Sequence, residues 1–176
     1  MANNQEAPDG YRIERCNDIG LAVLVPAAWN TWTYDPSSKT HINIFAEECL
    51  VRTDGMLEYE TGLSIGTFRH VQALSGYTPA RFALSLGTGI RHENLIPTSD
   101  MVEHIDGPLT FFSRTFERRE DASGEAAPVR SYAVSGISRD EADMAYVMMF
   151  ETPMEQWETG REIGRTMIEG ARVIEG

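Results

Sequence analysis

The apolar positions late in the chain set its pattern. Residues 145–150, AYVMMF, form an unbroken apolar run, the mark of a strand buried on both faces. Thr152, Pro153 and Glu155 follow at once. A threonine that can cap free N–H groups, a proline at the first helical position and a glutamate three residues after the cap predict a helix start. The helix they open, about residues 153–174, places Met154, Trp157, Ile163, Gly164, Met167, Ile168 and Ala171 on one face, with charged residues opposite. Such a face must lie on a sheet.

The same reading runs from the start of the chain. Residues 1–10 are polar and predict a disordered lead-in. Residues 11–15 and 21–25 read as paired strands, turned by residues 17–20 and stopped by Pro26. Trp29, Trp32 and Tyr34 form an aromatic cluster ahead of a predicted turn at 35–38. Residues 41–46 alternate, with Ile42 and Ile44 on one face, and residues 47–56 read as a polar loop or hairpin turn. Residues 57–68 show the clearest period of two, with Leu57, Tyr59, Leu63 and Ile65 to one side. Gly62 and Gly66 within them predict a bulge or the close approach of a covering helix.

Thr78 and Pro79 open a second helix, whose stripe is Phe82, Ala83, Leu86 and Ile90. Gly87 and Gly89 predict a late break in it or tight packing on the sheet. Residues 109–118, 129–137 and 145–151 are strands joined by short connections, which favour antiparallel neighbours. The predicted fold is α+β. It is a three-layer α/β/α sandwich on a mainly antiparallel sheet, with a long C-terminal helix packed on that sheet, forming one domain over residues 11–176.

Charge narrows the partners. The chain has 27 acidic residues against 15 basic ones, for a formal net charge of −12, and Lys39 is its one lysine. Nucleic acid and anionic membrane, both polyanions, are thereby disfavoured, and a partner with a basic surface is favoured. Cys16 and Cys49 make no C-x-x-C pair and read as reduced thiols of a cytoplasmic protein. The first ten residues show no signal-peptide pattern, and no apolar run reaches the length of a membrane span.

Three features together resemble the PsbP-like superfamily. They are the early V-P-x-x-W of Val25, Pro26 and Trp29, the later meander, and the strand that runs into the T-P-x-x-x-W of Thr152, Pro153 and Trp157. The resemblance spans residues 11–174. It implies an α/β/α sandwich on an antiparallel sheet and a protein that acts by docking on others instead of by catalysis. The chain shows neither the lumen-targeting leader of photosynthetic members nor the lipoprotein signal of DcrB-type members. No motif singles out the Ran-binding branch, so Ran binding is not carried over.

Candidate chemistry is sparse. His41, His70, His92 and His104 share no metal-ligand spacing, so no metal site is expected, and no motif calls for a cofactor. Cys16 follows Arg15, a neighbour that lowers a thiol pKa when the two are close in space, although a core thiol is the commoner fate. Gly87, Thr88 and Gly89 are too short a run for a phosphate loop. Gly160 and Gly164 form a G-x-x-x-G, but Arg161, Glu162 and Arg165 exclude a membrane span, which leaves close packing on the sheet.

Two surface groups remain. Arg114 and Arg118 share a strand face, and Arg130 begins the next strand, a candidate anion-binding patch. Glu47, Glu48, Asp54, Glu58 and Glu60 crowd one region. Glu48, Glu58 and Glu60, with Trp32 and Tyr34 as aromatic anchors, are the candidate partner-binding residues of a non-catalytic accessory or chaperone-like module. The alternative is a small hydrolase or metal-assisted enzyme built from scattered His, Cys and carboxylate groups. It requires a pocket that brings a histidine to Cys16, Cys49 or a carboxylate.

Overall fold

The computed structural model describes residues 6–37, 40–53, 57–88, 95–118 and 130–174. Alternation builds the first hairpin. In β1 (Tyr11–Cys16) and β2 (Leu21–Pro26), the residues Leu21, Val23 and Val25 are buried, while their neighbours Ala22 and Leu24 are only half-buried. β3 (Asn30–Ser37) and β4 (Thr40–Ala46) follow as an antiparallel pair. The turn predicted at 35–38 is therefore strand as far as Ser37, with a register shift between Tyr34 and Ser37 that absorbs Pro36.

The long period-two segment is broken. Leu57–Glu58 forms β6, which pairs with β5 (Leu50–Val51), and β7 starts afresh at Gly62–Arg69. A short α1 (Val71–Ser75) and α2 (Pro79–Gly87) come next. Thr78 caps α2 as predicted, its hydroxyl accepting the Arg81 N–H at 3.3 Å. Gly89 and Ile90 lie outside the described residues. Two strands that the pattern did not suggest, β8 (Leu95–Pro97) and β9 (Val102–Asp106), precede the meander of β10 (Leu109–Arg118), β11 (Arg130–Arg139) and β12 (Met144–Pro153). α3 (Trp157–Glu169) and β13 (Arg172–Val173) close the described chain.

The main sheet runs β3-β4-β7-β12-β11-β10-β8, with β9 also paired to β10, and every pairing is antiparallel. β1, β2 and β13 form a separate small sheet. Register and alternation sort the main sheet's side chains into two faces. Phe45, Leu63, Ile65, Phe111, Ile137, Tyr146, Met148 and Phe150 point to one face. There they join Leu21, Val23 and Val25 of the small sheet and Met167 and Ile168 of α3 in the largest apolar cluster. Ala145 and Phe112 point to the other face and meet Ala83 of α2 and Val71 of α1. Helices cover both faces, and the three layers are present.

The last helix is shorter than its sequence signal. β12 continues through Pro153, a 3-10 turn occupies Met154–Gln156, and α3 begins only at Trp157, with no side-chain cap. The Thr152 hydroxyl is buried and lies 2.9 Å from that of Thr61, so it is not free to cap. At the other end Gly170 ends the helix, and the chain bends into β13 against β2. Ala145, Tyr146, Met148 and Phe150 are fully buried as the apolar run predicts, while Val147 and Met149 on the other face are half-buried.

Candidate functional site

Ala46 and Gly62 are register partners on β4 and β7, so the chain leaves the main sheet after Ala46 and rejoins it at Gly62, opposite the point it left; residues 47–53 and 57–61 are the described part of this excursion. Their short β5–β6 pairing sets Leu50 opposite Glu58 and Val51 opposite Leu57. Leu50 and Val51 are each 70% exposed. Around them Glu47, Glu48, Glu58 and Glu60 are all exposed, and Arg52 is the basic residue in the described part of this excursion. Asp54 lies outside the described residues. The structure thus brings most of the predicted acidic region to one projection and adds an exposed apolar pair on its β5 arm, a feature no acidic-residue count reveals.

The root of the projection is held firmly. Tyr59 folds back over Gly62, where a Cβ would come within 2.7 Å of both the Tyr59 ring and the Phe45 carbonyl oxygen. Gly62 therefore serves the approach of a ring and not of a helix, while at Gly66 a Cβ would stand 3.0 Å from the Val147 side chain of the neighbouring strand. The Tyr59 hydroxyl hydrogen-bonds Ser64 and Glu151, and burial, followed by the Glu151 charge, pushes its pKa far up. Arg130 makes a 3.0 Å ion pair with Glu151 and donates to the carbonyls of Tyr59 and Glu60. Asn30 donates to the Glu47 carbonyl at 3.0 Å, and Gln156 donates to the Glu60 carboxylate at 3.0 Å.

Trp32 and Tyr34 sit on the edge strand β3, opposite Ile44 and Ile42, and both are half-buried. Of the three arginines, Arg114 and Arg118 do share a face of β10, with Phe116 between them. Arg114 donates to the Ser99 carbonyl at 2.7 Å, Arg118 hydrogen-bonds the Tyr132 hydroxyl, and Arg130 is committed to Glu151 and the hairpin root. Each guanidinium ties structural elements together.

The His and Cys groups are spread over the fold; His70 and the Asp18 carboxylate line one cavity, with no hydrogen bond between them among the described residues. Cys16 is buried in the main apolar cluster. Burial, then Glu14 and Asp18, push its thiol up to about 11, so Arg15 does not activate it. Cys49 lies beside β5, its thiol also pushed up by burial against a hydrogen bond from the Glu58 backbone. His104 packs against Phe111 on β9, His70 precedes α1, and His41 has a buried Nε2 on β4. His92 lies outside the described residues. Among the described residues no three His, Cys, Asp or Glu side chains are grouped to hold a metal ion. One motif escaped the sequence reading: Gly62, Leu63, Ser64, Ile65 and Gly66 spell G-x-S-x-G. A nucleophile elbow needs a sharp strand-to-helix turn. Ser64 is instead in mid-strand on β7, bonded to Tyr59.

No protein-family model and no curated protein matches the sequence. Solved structures do match the fold. The Ran-binding protein Mog1p of Saccharomyces cerevisiae superposes with a TM-score of 0.59 at 11% identity, over 94% of this chain and 96% of that one. The cyanobacterial PsbP of Synechocystis superposes with a TM-score of 0.56 at 11% identity, over 98% and 96%. The fold is PsbP-like, as the resemblance implied. No described helix is long and apolar enough to cross a membrane.

Proposed function

We propose that this protein is a non-catalytic docking module that binds a partner protein with a basic surface through the β5–β6 projection. The observation that carries this reading is the exposed Leu50–Val51 pair set among Glu47, Glu48, Glu58 and Glu60. Leu50 and Val51, on opposite faces of the ribbon, each offer apolar area for burial on contact, and the charged rim supplies attraction and register. Trp32 and Tyr34 belong to the same reading as half-buried flanking anchors on β3. Mog1p, named as Ran-binding, shares the fold, which supports the class by analogy alone. A cytoplasmic setting goes with it, since Cys16 and Cys49 are both free thiols.

The test is retention of a native-host partner by wild-type protein and by two variants. One reverses charge at Glu48, Glu58 and Glu60, and the other replaces Leu50 and Val51 by serine. Both variants change exposed residues; because the Glu60 reversal also removes the Gln156 hydrogen bond at the root, melting curves check that each variant is folded. The same partner should be lost from each variant. Its association rate with wild type should fall steeply with salt, because exposed charges are screened beyond roughly 8 Å at physiological ionic strength. A partner held equally by all three proteins, and equally fast at low and high salt, would show that this surface is not the docking site.

A further inference from the structure

At the far end of the main sheet, about 23 Å along β7 from the hairpin root, lies a cavity of about 310 Å³. It is lined by Asp18, Ile19, Gly20, Arg69, His70, Arg139, Ala142 and Met144. Its floor is one row of the sheet. Met144 on β12 is the register partner of Arg69 on β7 and of Arg139 on β11, and the three residues share a face. Two strand spacings separate the arginine backbones, about 10 Å. The turn between β1 and β2 forms the roof, anchored where the Tyr146 hydroxyl donates to the Ile19 carbonyl at 2.9 Å. A Cβ on Gly20 would stand 3.3 Å from Arg139 Nη1, so the guanidinium lies directly against the turn.

Local charge differs from that of the molecule as a whole. The lining holds two arginines against the one carboxylate of Asp18, in a chain of net charge −12. Glu141, from the β11–β12 turn, reaches Arg139 Nε at 3.4 Å from an exposed position. The Asp143 carboxylate accepts the Gln72 N–H at 2.8 Å, and Asp140 is exposed on the same turn. Two guanidiniums carry roughly ten N–H donors between them. Their described partners are the Asp18 carbonyl for Arg69, and the Glu141 carboxylate and Tyr146 hydroxyl for Arg139. The backbone is also unusual at this spot. His70 and Asp143, at φ 55° and 50°, are the non-glycine residues of positive φ among the described residues; His70 lines the cavity, and Asp143 lies in sequence between its lining residues Ala142 and Met144.

We propose that this cavity binds the phosphate group of a small phosphorylated molecule, gripped between Arg69 and Arg139. A carboxylate carries one negative charge and only two oxygens, both in one plane. A tetrahedral dianion offers oxygens in both directions and matches two cations that flank Met144 on the cavity floor. Ile19, Ala142 and Met144 supply an apolar wall for the rest of the ligand.

Titration of the full chain with inorganic phosphate, followed by amide NMR at constant ionic strength, tests this. Gly20, His70 and Arg139 should shift together and saturate. Phenyl phosphate should bind more tightly than phosphate, and acetate less tightly. Arg69→Gln and Arg139→Gln should each weaken phosphate binding at least about tenfold, the gap expected for loss of a charge-assisted pair. Should either variant fail to fold, Asp18→Asn changes an exposed residue and keeps the backbone carbonyl bound to Arg69. It should tighten binding several-fold. Shifts scattered over other arginines, acetate binding as well as phosphate, phenyl phosphate binding no better than phosphate, or an Asp18→Asn affinity no higher than wild type would each overturn the proposal. The site lies at the opposite end of the sheet from the hairpin, so either reading can fail alone.

Discussion

The two faces of the main sheet are built to different standards. On the face toward α3 and the small sheet, Phe45, Leu63, Ile65, Ile137, Tyr146, Met148 and Phe150 are all fully buried in one continuous cluster. On the face toward α1 and α2 there are two smaller clusters, one around Ala83 and Phe112, the other around Phe116 and Val134. Near the hairpin root that second face carries polar groups, the linked Tyr59, Glu151, Arg130 and Tyr132. A single strand such as β12 serves both, because successive side chains point opposite ways. One face is a packed platform. The other trades apolar burial for hydrogen bonds that hold the β5–β6 projection in place, and buried polar networks specify position more than they add stability.

The largest expected effect separates neighbouring residues of β12. Phe150→Ala should cost about 3–5 kcal/mol, because a fully buried ring leaves a cavity that its packed surroundings cannot collapse. Met149→Ala, one residue away on the half-buried face, should cost about 1 kcal/mol. Urea denaturation of both variants decides it, and equal costs would abolish the distinction between faces.

Overpacking should act on one face at a time. A Cβ at Gly136 would overlap the Ala83 carbonyl oxygen of α2. Gly136→Ala should therefore cost about 1–3 kcal/mol by pushing α2 off the sheet. Hydrogen exchange should quicken in α2 and stay slow in α3. Faster exchange in both helices would mean that the layers are not independent.

Alkaline pH probes the packed face through Cys16. Its folded pKa of about 11 stands above the ordinary 9.0, so the fold holds the thiol neutral. That contribution is complete below pH 9 and is lost as pH rises toward 11, because the unfolded chain releases its proton first. Because the unfolded thiol is half ionised at pH 9 and the limiting slope is about 1.4 kcal/mol per pH unit, wild type should lose about 1 kcal/mol more than Cys16→Ala between pH 9 and 10, as read by urea midpoints. Tyr59, Tyr132 and Tyr146, all raised chiefly by burial, extend the same trend at higher pH. Parallel pH profiles of the two proteins would count against a buried neutral thiol.

The smallest effect belongs to the outer side of α3. Arg165 pairs with Glu162 across one helical turn, and both side chains are more than half exposed. Arg165→Ala should change stability by under about 0.5 kcal/mol, since exposed ion pairs gain little in water. A larger loss by the same denaturation assay would indicate a role for that surface beyond the helix.

Much of the scaffold was written in local patterns. β10, the start of α2 and the burial of β12 each rest on residues within a few positions of one another, through alternation, an N-cap followed by proline, or an apolar run. β8 and β9 went unseen for a related reason. Most of their residues are exposed, and the strands exist because β10 offers an edge to pair with. The candidate docking surface was half legible. Its glutamates are adjacent in sequence, but the exposure of Leu50 and Val51 follows from where β4 and β7 meet.

Sequence by itself determined the fold class, the order of the principal strands and helices, and the sign of the surface charge, because hydrophobic period and composition are local or additive properties. Tertiary structure alone decided where the last helix begins, since Thr152 spends its hydroxyl on Thr61, far away in the chain. It also decided that Arg69 and Arg139 share one cavity. Their meeting depends on strand register across Met144, and register is a property of pairings between distant segments that no single window of sequence contains.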